Sequence, residues 1–405
     1  MKFYFPDSQD LVSPTYDFIH DEYSPFRVRQ RDDLYAHEVL DERPYDGMLV
    51  SKAIVDGSVR GSGKYSEAQR NRLYRLGVQR FFRLPDNVVT LGDCGAFNYV
   101  DEEEPPYTVE EVLDFYVGCG FRAGVSVDHV ILAYDRNAVE ATADPEWKRR
   151  QAVSLRFGEK FLDASRSYES SVFQPVGAAQ GWSPASYARS VAELQEMGYQ
   201  RIALGGMVPL KTQDILDCLN EIDAVRLDTT EFHLLGVTRV DSMDEFALHG
   251  VTSFDSTSPF RQAFMDDRKN YHTEKTAYVA IRVPQVDGNP ALKRAILAGK
   301  VSGRDALGAE RETLDALRGL DAGTRTVEEA LKALAEYEMV SRSKKSYIDQ
   351  YARTLGEAPW RNCSCSLCGE HGIEIIIFRG TERNKRRGFH NLSVLERKMR
   401  TLQYR

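Results

Sequence analysis

Short apolar runs alternate with amphipathic stretches along residues 47–254. The apolar runs predict strands at 88–91, 127–134, 171–176 and 201–204. Apolar positions at helical spacing predict helices between them, over 108–117, 140–165, 183–197 and 212–221. Strands that alternate with helices form parallel βαβ units. Their recurrence along the chain favours a (β/α)8 TIM barrel over a short doubly wound sheet.

Polar residues follow five separate apolar runs in this region. The C-terminal ends of all strands in such a barrel open on one face, where the active sites of this fold lie. We therefore expect these residues to converge on one pocket: Asp93, Asp135, Gln180, the pair Gly205-Gly206, and Asp255.

The rest of the chain has a different pattern. Residues 266–350 predict helices at 291–297, 306–317 and 327–337, joined by glycine-containing turns. Residues 373–378 are rich in β-branched side chains and predict a strand, followed by a basic loop and a terminal helix over 392–402. The predicted organisation is a divergent segment at 1–85 leading into the barrel, the main catalytic barrel at 86–265, a helical insertion at 266–350, and a zinc-binding module with a basic C-terminal helix at 351–405.

Composition narrows the class of protein. The chain has 405 residues, 42% of them hydrophobic, which is enough for a full core. It has no apolar stretch long enough to span a membrane, and its first residues lack the apolar segment of a signal peptide. We therefore expect a cytoplasmic protein with no membrane partner.

Charge is unevenly distributed. The net charge of −8 argues against a non-specific nucleic-acid coat. The C-terminal tail is nevertheless basic, and this predicts contacts with nucleic-acid phosphates, the alternative being a solvated basic face. Its cations are Arg379, Arg383, Lys385, Arg386, Arg387, Arg397, Lys398, Arg400 and Arg405.

Three cysteines lie within six residues of one another, at Cys363, Cys365 and Cys368. With one imidazole they would form a closed tetrahedral Zn²⁺ site, which is structural rather than catalytic. Reduced cysteines with no ligand role are the alternative, whereas a disulfide does not suit a chain without a signal peptide. His390 and His371 are both candidates for the fourth ligand.

The Cys-x-Cys-x2-Cys spacing, with His390 in a Phe-His-Asn-Leu string, resembles the zinc box of the tRNA-guanine transglycosylase (queuine tRNA-ribosyltransferase) family, which favours His390 over His371. The string that begins at Asp93, Asp-Cys-Gly-Ala-Phe, resembles the family motif whose aspartate handles the proton. The string Phe-Asp-Ser-x-x-Pro around Asp255 resembles the motif whose aspartate is the nucleophile. Without the resemblance, either aspartate could equally be a helix N-cap.

Four further strings match the family in order, at 134–135, 177–181, 205–208 and 234–237. The resemblance covers roughly residues 88–260 and 360–405. It implies that some residues recognise the guanine edge and that others sandwich the flat base. The edge readers would be Asp135, Gln180 and the backbone of Gly205 and Gly206, and the sandwich would be Phe97 and Leu235.

The departures from the family pattern suggest a divergent branch. Lys211 stands where bacterial members carry a glutamate suited to a cationic aminomethyl base, so a neutral base such as 7-cyano-7-deazaguanine (preQ0) becomes the expected substrate. The alternative is a solvated lysine at a helix start. The long segment between Asp255 and Cys363 and the divergent N-terminus favour the branch that places 7-deazaguanines in DNA.

The expected function is therefore exchange of guanine in DNA for a 7-deazaguanine through a covalent aspartyl intermediate. Structural Zn²⁺ is the expected cofactor. DNA and the base are the expected partners, with other proteins or a homodimer as further candidates. The alternatives are a tRNA-guanine transglycosylase acting on tRNA, and a non-catalytic scaffold subunit that binds nucleic acid.

Overall fold

The computed structural model describes residues 1–7, 9–57, 63–169, 171–343 and 345–403. The chain forms two compact units. The barrel unit comprises Met1–Gln9, Tyr45–Thr257 and Met399–Arg405, and the appended unit comprises Asp10–Pro44 and Ser258–Lys398. In the described part of the chain, none of the helices combines the length and apolar character needed to cross a membrane.

The barrel unit is built on a closed parallel sheet, which confirms the predicted (β/α)8 fold. Each strand pairs in parallel with the next, and the last pairs with the first, where Asp255 lies opposite Tyr4. The strands are β1 Lys2–Pro6, β2 Gly47–Ser51, β3 Val89–Asp93, β4 Ala123–Val125, β5 Gln174–Ala179, β6 Arg201–Leu204, β7 Glu231–Leu234 and β8 Val251–Asp255. Two of them, β1 and β2, lie within the segment 1–85, which was predicted to lead into the barrel.

Helices follow the barrel strands and make up most of the appended unit. In chain order they are α1 Ala36–Val39, α2 Lys52–Asp56, α3 Glu67–Phe81, α4 Val109–Gly118, α5 Pro145–Ser165, α6 Pro184–Met197, α7 Thr212–Asp223, α8 Met243–Leu248, α9 Ser258–Met265, α10 Pro290–Leu297, α11 Gly303–Asp321, α12 Val327–Val340, α13 Ile348–Glu357, α14 Ser366–His371 and α15 Gly380–Gln403. Short 3₁₀ turns lie at Ala96–Tyr99, Val240–Ser242 and Gly372–Ile375.

Local capping explains why several predicted helices begin where they do. Before α4, the Thr108 hydroxyl accepts the Glu111 N–H at 3.2 Å, and the Glu111 carboxylate accepts the Thr108 N–H at 2.8 Å. This reciprocal capping box satisfies two backbone donors that would otherwise lack partners. Ser183 caps α6 in the same way, with Pro184 at the first helical position.

Close packing of helix on sheet depends on two glycines in neighbouring strands. The Tyr116 ring of α4 lies across β3 and β4 at Gly92 and Gly124, where an added Cβ would come within 2.3 and 2.2 Å of the ring. The Tyr116 hydroxyl donates to the Val125 carbonyl at 3.1 Å. Any larger residue at either glycine would push α4 away from the sheet.

The strand predicted at 127–134 is wrong. Strand β4 ends at Val125, and the buried residues after it are irregular. Their backbone donors bond to side chains of other elements instead of a neighbouring strand: His129 N–H to Ser154 Oγ at 2.9 Å, and Ile131 N–H to Gln180 Oε1 at 3.2 Å. The apolar run therefore indicates that this segment is buried, but not that it pairs with a neighbouring strand.

In the appended unit, the three predicted helices are present as α10, α11 and α12. The strand predicted at 373–378 is mostly wrong, because residues 372–375 form a 3₁₀ turn. Only β12, Ile377–Phe378, pairs in parallel with β11, Ile281–Arg282, and a separate antiparallel pair joins β9, Tyr271–His272, to β10, Ala277–Tyr278. The predicted basic loop is helical, since α15 begins at Gly380.

The basic tail was predicted to contact phosphates or, alternatively, to form a solvated face. Both predictions are wrong for the central arginines of the tail. Arg379, Arg383, Arg386 and Arg387 are all buried. The first three form ion pairs with acidic residues. Arg387 donates to backbone carbonyls, including that of Ala263 at 2.6 Å. Buried arginines require such partners, so these side chains hold the appended unit together.

Candidate active site and metal centre

The C-terminal end of β8 presents the predicted nucleophile. Asp255 is buried, and its Oδ1 accepts the Gly236 N–H at 2.9 Å and lies 3.1 Å from His233 Nε2. The other ring nitrogen of His233 lies 2.9 Å from Ser253 Oγ. Both bonds go to Oδ1, which fixes the orientation of the carboxylate. None of the described residues donates to Oδ2.

The predicted proton-transfer residue lies at the end of β3. Burial raises the pKa of Asp93 from 3.8 to about 7, and the charges of Asp128 and Asp255 act in the same direction. Backbone N–H groups of Gly95 and Cys94 donate to the carboxylate and oppose the shift only in part. A carboxyl group with a pKa near neutrality can both give and take a proton at physiological pH. The structure thus brings the two predicted catalytic aspartates within electrostatic range of each other.

A buried network surrounds Gln180, which follows β5. Its Nε2 donates to Asp128 Oδ2 at 2.6 Å, and its Oε1 accepts the Ile131 N–H. Asp128 is also bonded through Oδ1 to the Cys94 thiol at 3.0 Å, and the Tyr99 hydroxyl donates to the same sulfur at 3.0 Å. The Gln180 amide is therefore held in one orientation.

The two glycines after β6 pass very close to this amide. A Cβ on Gly205 would lie 2.1 Å from Gln180 Nε2, and a Cβ on Gly206 would lie 2.4 Å from the Ile131 carbonyl oxygen. Gly206 also has a φ of +74°, which disfavours other residues. The Tyr187 hydroxyl donates to the Gly205 carbonyl at 2.7 Å. Only glycines allow the backbone to run this close to the amide.

The remaining predicted base-binding residues lie in different surroundings. Asp135 is exposed, and its Oδ1 accepts the Asn137 N–H at 3.0 Å in a local turn. Phe97 lies on the 3₁₀ turn after β3 and is half exposed. Leu235 follows β7 and packs against the apolar interior of the barrel. Their roles toward a base stay predictions.

Sequence reasoning missed two buried residues of this site, Asp128 and His233. Each had a weak signal in the sequence. Asp128 is an acid within an apolar run, and a buried carboxylate requires partners. His233 alternates with Phe232 and Leu234 near the end of a strand, at the barrel face where functional groups collect.

The appended unit brings Cys363, Cys365, Cys368 and His390 together. Their ligand atoms lie within 4.8 Å of one another. The three sulfurs are 3.4 to 3.6 Å from His390 Nδ1. Tetrahedral Zn–S and Zn–N bond lengths imply a sulfur-to-nitrogen separation of about 3.6 Å, so the cluster fits a metal ion such as Zn²⁺. His371 is outside this cluster, and its Nε2 accepts a hydrogen bond from Arg386 at 3.3 Å.

Neighbouring groups orient the cluster. His390 Nε2 lies 2.8 Å from the His272 carbonyl oxygen, an acceptor that places the ring proton on Nε2 and leaves Nδ1 free to bind a metal. The Tyr271 ring stacks on the imidazole with centroids 4.1 Å apart, and its hydroxyl lies 3.2 Å from Cys368 Sγ. This second layer holds the histidine ring in a ligating position.

A closed parallel barrel, with carboxylates and amides gathered at the C-terminal ends of its strands, defines the chain as a (β/α)8-barrel enzyme. The chain is 48% identical over 401 residues to a DNA-guanine transglycosylase of Salmonella montevideo, covering 98% of this chain and 95% of the relative. It therefore belongs to the guanine transglycosylase family of enzymes, and the resemblance seen in the sequence is confirmed.

A more distant similarity covers one part of the chain. Over 135 residues it is 27% identical to a queuine tRNA-ribosyltransferase of Chromohalobacter salexigens, which spans 33% of this chain and 36% of that protein. No family model matches the chain.

Proposed function

We propose that this enzyme replaces guanine in DNA with a 7-deazaguanine base by a double displacement. The observation that carries the proposal is the near-full-length identity of 48% with a DNA-guanine transglycosylase. The site supports it, because Asp255 and Asp93 supply the two carboxyl groups that a retaining glycosyl transfer needs.

In the first displacement, Oδ2 of Asp255 attacks C1′ of the target nucleotide while the bond from C1′ to guanine N9 breaks. The departing guanine takes the proton of Asp93, whose pKa of about 7 allows it to be protonated near neutral pH. Contacts of Oδ1 with His233 and Gly236 leave Oδ2 to form the bond. The product is a covalent ester between Asp255 and the sugar.

In the second displacement, the incoming base loses its N9 proton to Asp93. Its nitrogen forms the new bond to C1′ as the ester bond to Asp255 breaks. The configuration at C1′ is inverted twice and so retained. No nucleotide hydrolysis is required, since the covalent intermediate retains the glycosidic bond energy.

Base recognition is assigned to Gln180, Asp135 and the backbone of Gly205 and Gly206, with Phe97 and Leu235 on the two faces of the purine. The Gln180 amide can still hydrogen-bond to a base, because its bonds within the protein leave Nε2 a second hydrogen and Oε1 a second lone pair. The exposed Asp135 carboxylate likewise retains accepting capacity. A base bound here would meet an amide already fixed by Asp128.

We infer that the incoming base is neutral, with 7-cyano-7-deazaguanine as the first candidate. Lys211, exposed at the start of α7, would repel a cationic aminomethyl group. A Lys211→Glu variant should shift selectivity toward aminomethyl bases, measured by competition between the two bases.

We also propose that the Cys₃His cluster holds a structural Zn²⁺. Three thiolates and one imidazole fill all four positions of a tetrahedral ion, which leaves none open for catalysis. The bound ion would stabilise the appended unit by linking Cys363, Cys365 and Cys368 to His390 on α15.

The deciding assay follows incorporation of labelled guanine and labelled 7-cyano-7-deazaguanine into plasmid DNA and unmodified tRNA, side by side. Asp255→Ala and Asp255→Asn serve as controls that cannot form the ester. Label in DNA alone, and a covalent protein–DNA adduct with the parent only, is the expected result. Near-normal turnover by Asp255→Asn would refute the assignment of the nucleophile.

A tRNA acceptor is the second candidate, favoured by the partial similarity to a queuine tRNA-ribosyltransferase. Label in tRNA alone would establish it and overturn the DNA proposal. Label in neither acceptor, together with no binding of free 7-deazaguanine, would favour the non-catalytic scaffold.

A further inference from the structure

Four large apolar side chains are exposed within residues 17–33 of the appended unit, here called the 17–33 loop. Phe26 is 89% exposed and Ile19 61%, and Tyr23 and Val28 are also exposed. Single exposed apolar residues are normal in folded proteins, but several together mark an interaction surface. The transglycosylase site assigned above uses none of these residues.

Three arginines fix the base of this loop: Arg383 on α15, Arg379 just before it, and Arg318 on α11. Asp21 accepts from Arg379 Nε at 2.5 Å and also pairs with Arg383. The Phe18 carbonyl accepts from Arg383 and from Arg318, each at 2.7 Å. Breaking such buried pairs is costly, so the base of the loop is held rigidly.

Hydrogen bonds also fix the tip. Both Oδ atoms of Asp33 accept from the Arg27 guanidinium, at 2.6 and 2.7 Å, and the same guanidinium lies 4.0 Å from the centre of the Tyr23 ring. Asp32 Oδ2 accepts the Val28 N–H at 2.6 Å. Phe26 is therefore presented to solvent on an ordered support. An ordered support reduces the entropy lost when a partner binds.

The chemistry of the tip fits a nucleic acid. Residues 24–31 contain three arginines and no acidic residue, and the five acidic residues of the loop lie on either side of this stretch, at Asp17, Asp21, Glu22, Asp32 and Asp33. Within the described chain, Arg27 pairs with Asp33 and Arg31 with Asp32, whereas Arg29 in the tip and Glu22 before it have no ion-pair partner. A nucleic acid offers phosphates for guanidinium groups and flat bases for an aromatic ring, and this tip interleaves the two kinds of side chain.

We propose that the 17–33 loop binds DNA, with Phe26 stacked on or inserted beside a base and Arg29 on a backbone phosphate. The proposal rests on the proposed function for its choice of DNA as the nucleic acid. It also gives the arginines of the C-terminal tail an indirect role, because they hold the loop that makes the contact.

The test measures binding of fluorescently labelled duplex DNA over a range of salt concentrations. Phe26→Ala should weaken binding by about 5- to 160-fold, the range that loss of one base–aromatic stack causes. Arg29→Ala should weaken it several-fold and reduce the slope of log affinity against log salt by about one. Phe26→Trp should retain binding.

Two matched controls come from the same unit. Leu297→Ala removes an equally exposed apolar side chain from α10, and Arg304→Ala removes an exposed cation from α11. Both should bind as the parent does, and the thermal midpoints of all four alanine variants should match that of the parent.

Each outcome bears on one proposal at a time. Unchanged affinity and salt slope in Phe26→Ala and Arg29→Ala overturn the loop proposal. If Phe26→Ala weakens binding to tRNA but not to DNA, the choice of DNA is overturned. If Phe26→Ala weakens binding to a protein partner and leaves binding to both nucleic acids unchanged, the loop is a protein interface and the proposal is overturned. If the parent binds DNA through Phe26 but exchanges no base, the loop proposal stands and the proposed function falls.

Discussion

Replacement of Asp93 by asparagine should raise the stability of the protein more at alkaline than at acidic pH. The pKa of this carboxyl is about 7 in the folded protein, against 3.8 in its ordinary state. Because the folded state binds the proton more tightly than the unfolded state, the parent loses stability as the pH rises from about 4 to about 7, and the loss stays constant above that. Asparagine keeps the shape of the side chain but has no proton to lose.

The size of this stability difference follows from the shift in the pKa of Asp93. About three pH units at ~1.4 kcal/mol each give an upper bound of about 4 kcal/mol above pH 7, of which roughly 2–3 kcal/mol falls between pH 5 and pH 8. The assay is urea unfolding of the parent and Asp93→Asn at these two pH values. Asp86→Asn, an exposed aspartate before β3, serves as the control and should show no such pH dependence. An equal difference between parent and Asp93→Asn at both pH values would refute the electrostatic account of the site.

Four further changes test other parts of the molecule. Asp128→Asn removes a charge that raises the pKa of Asp93, so the alkaline limb of the pH profile of kcat/KM should move to lower pH by about one unit; an unmoved limb would exclude this coupling. His233→Gln should slow formation of the covalent adduct by about 10- to 100-fold while DNA affinity stays at the parental value, as single-turnover trapping would show. Cys365→Ala should lose bound zinc and lower the thermal midpoint, measured by metal analysis and calorimetry, and full metal content would count against the cluster. Arg383→Ala should lower the free energy of unfolding by about 3–5 kcal/mol, because it leaves buried carboxylates unpaired; a change below 1 kcal/mol in urea unfolding would contradict a structural role.

The helices that could be predicted from the sequence owe their accuracy to local signals. The prediction at 183–197 matches α6, Pro184–Met197, because Ser183 and the following proline mark a helix start within a few residues. The prediction at 212–221 matches most of α7, and 201–204 coincides with β6. Residues within or next to these elements determine both the apolar periodicity and the boundaries, so the elements can be recognised without knowledge of distant contacts.

Predictions failed where distant residues decide the structure. The run at 127–134 is as apolar as a strand, yet its backbone groups bond to Ser154 and Gln180, which lie 25 and 49 residues away. Periodicity alone does not separate a buried strand from a buried irregular segment. The same limit applies to the site. Asp93 and Asp255 stand in motifs that resemble those of a family. Asp128 has only the weak signal of an acid within an apolar run, and its place in the site becomes evident from its bond to Gln180 in the structure.

The basic tail shows why local charge is a poor guide to a nucleic-acid surface. Arg383 pairs with Glu374, nine residues away, and with Asp21, which is 362 residues away. A count of cations along the tail includes charges that these acids have already neutralised. When the paired charges are left out, the tail loses its central arginines, whereas the tip at residues 24–31 retains Arg29, three residues after the exposed Phe26. An unpaired cation together with an exposed ring is therefore the criterion by which we propose a DNA-binding face, and it selects a segment that the charge pattern of the sequence did not indicate.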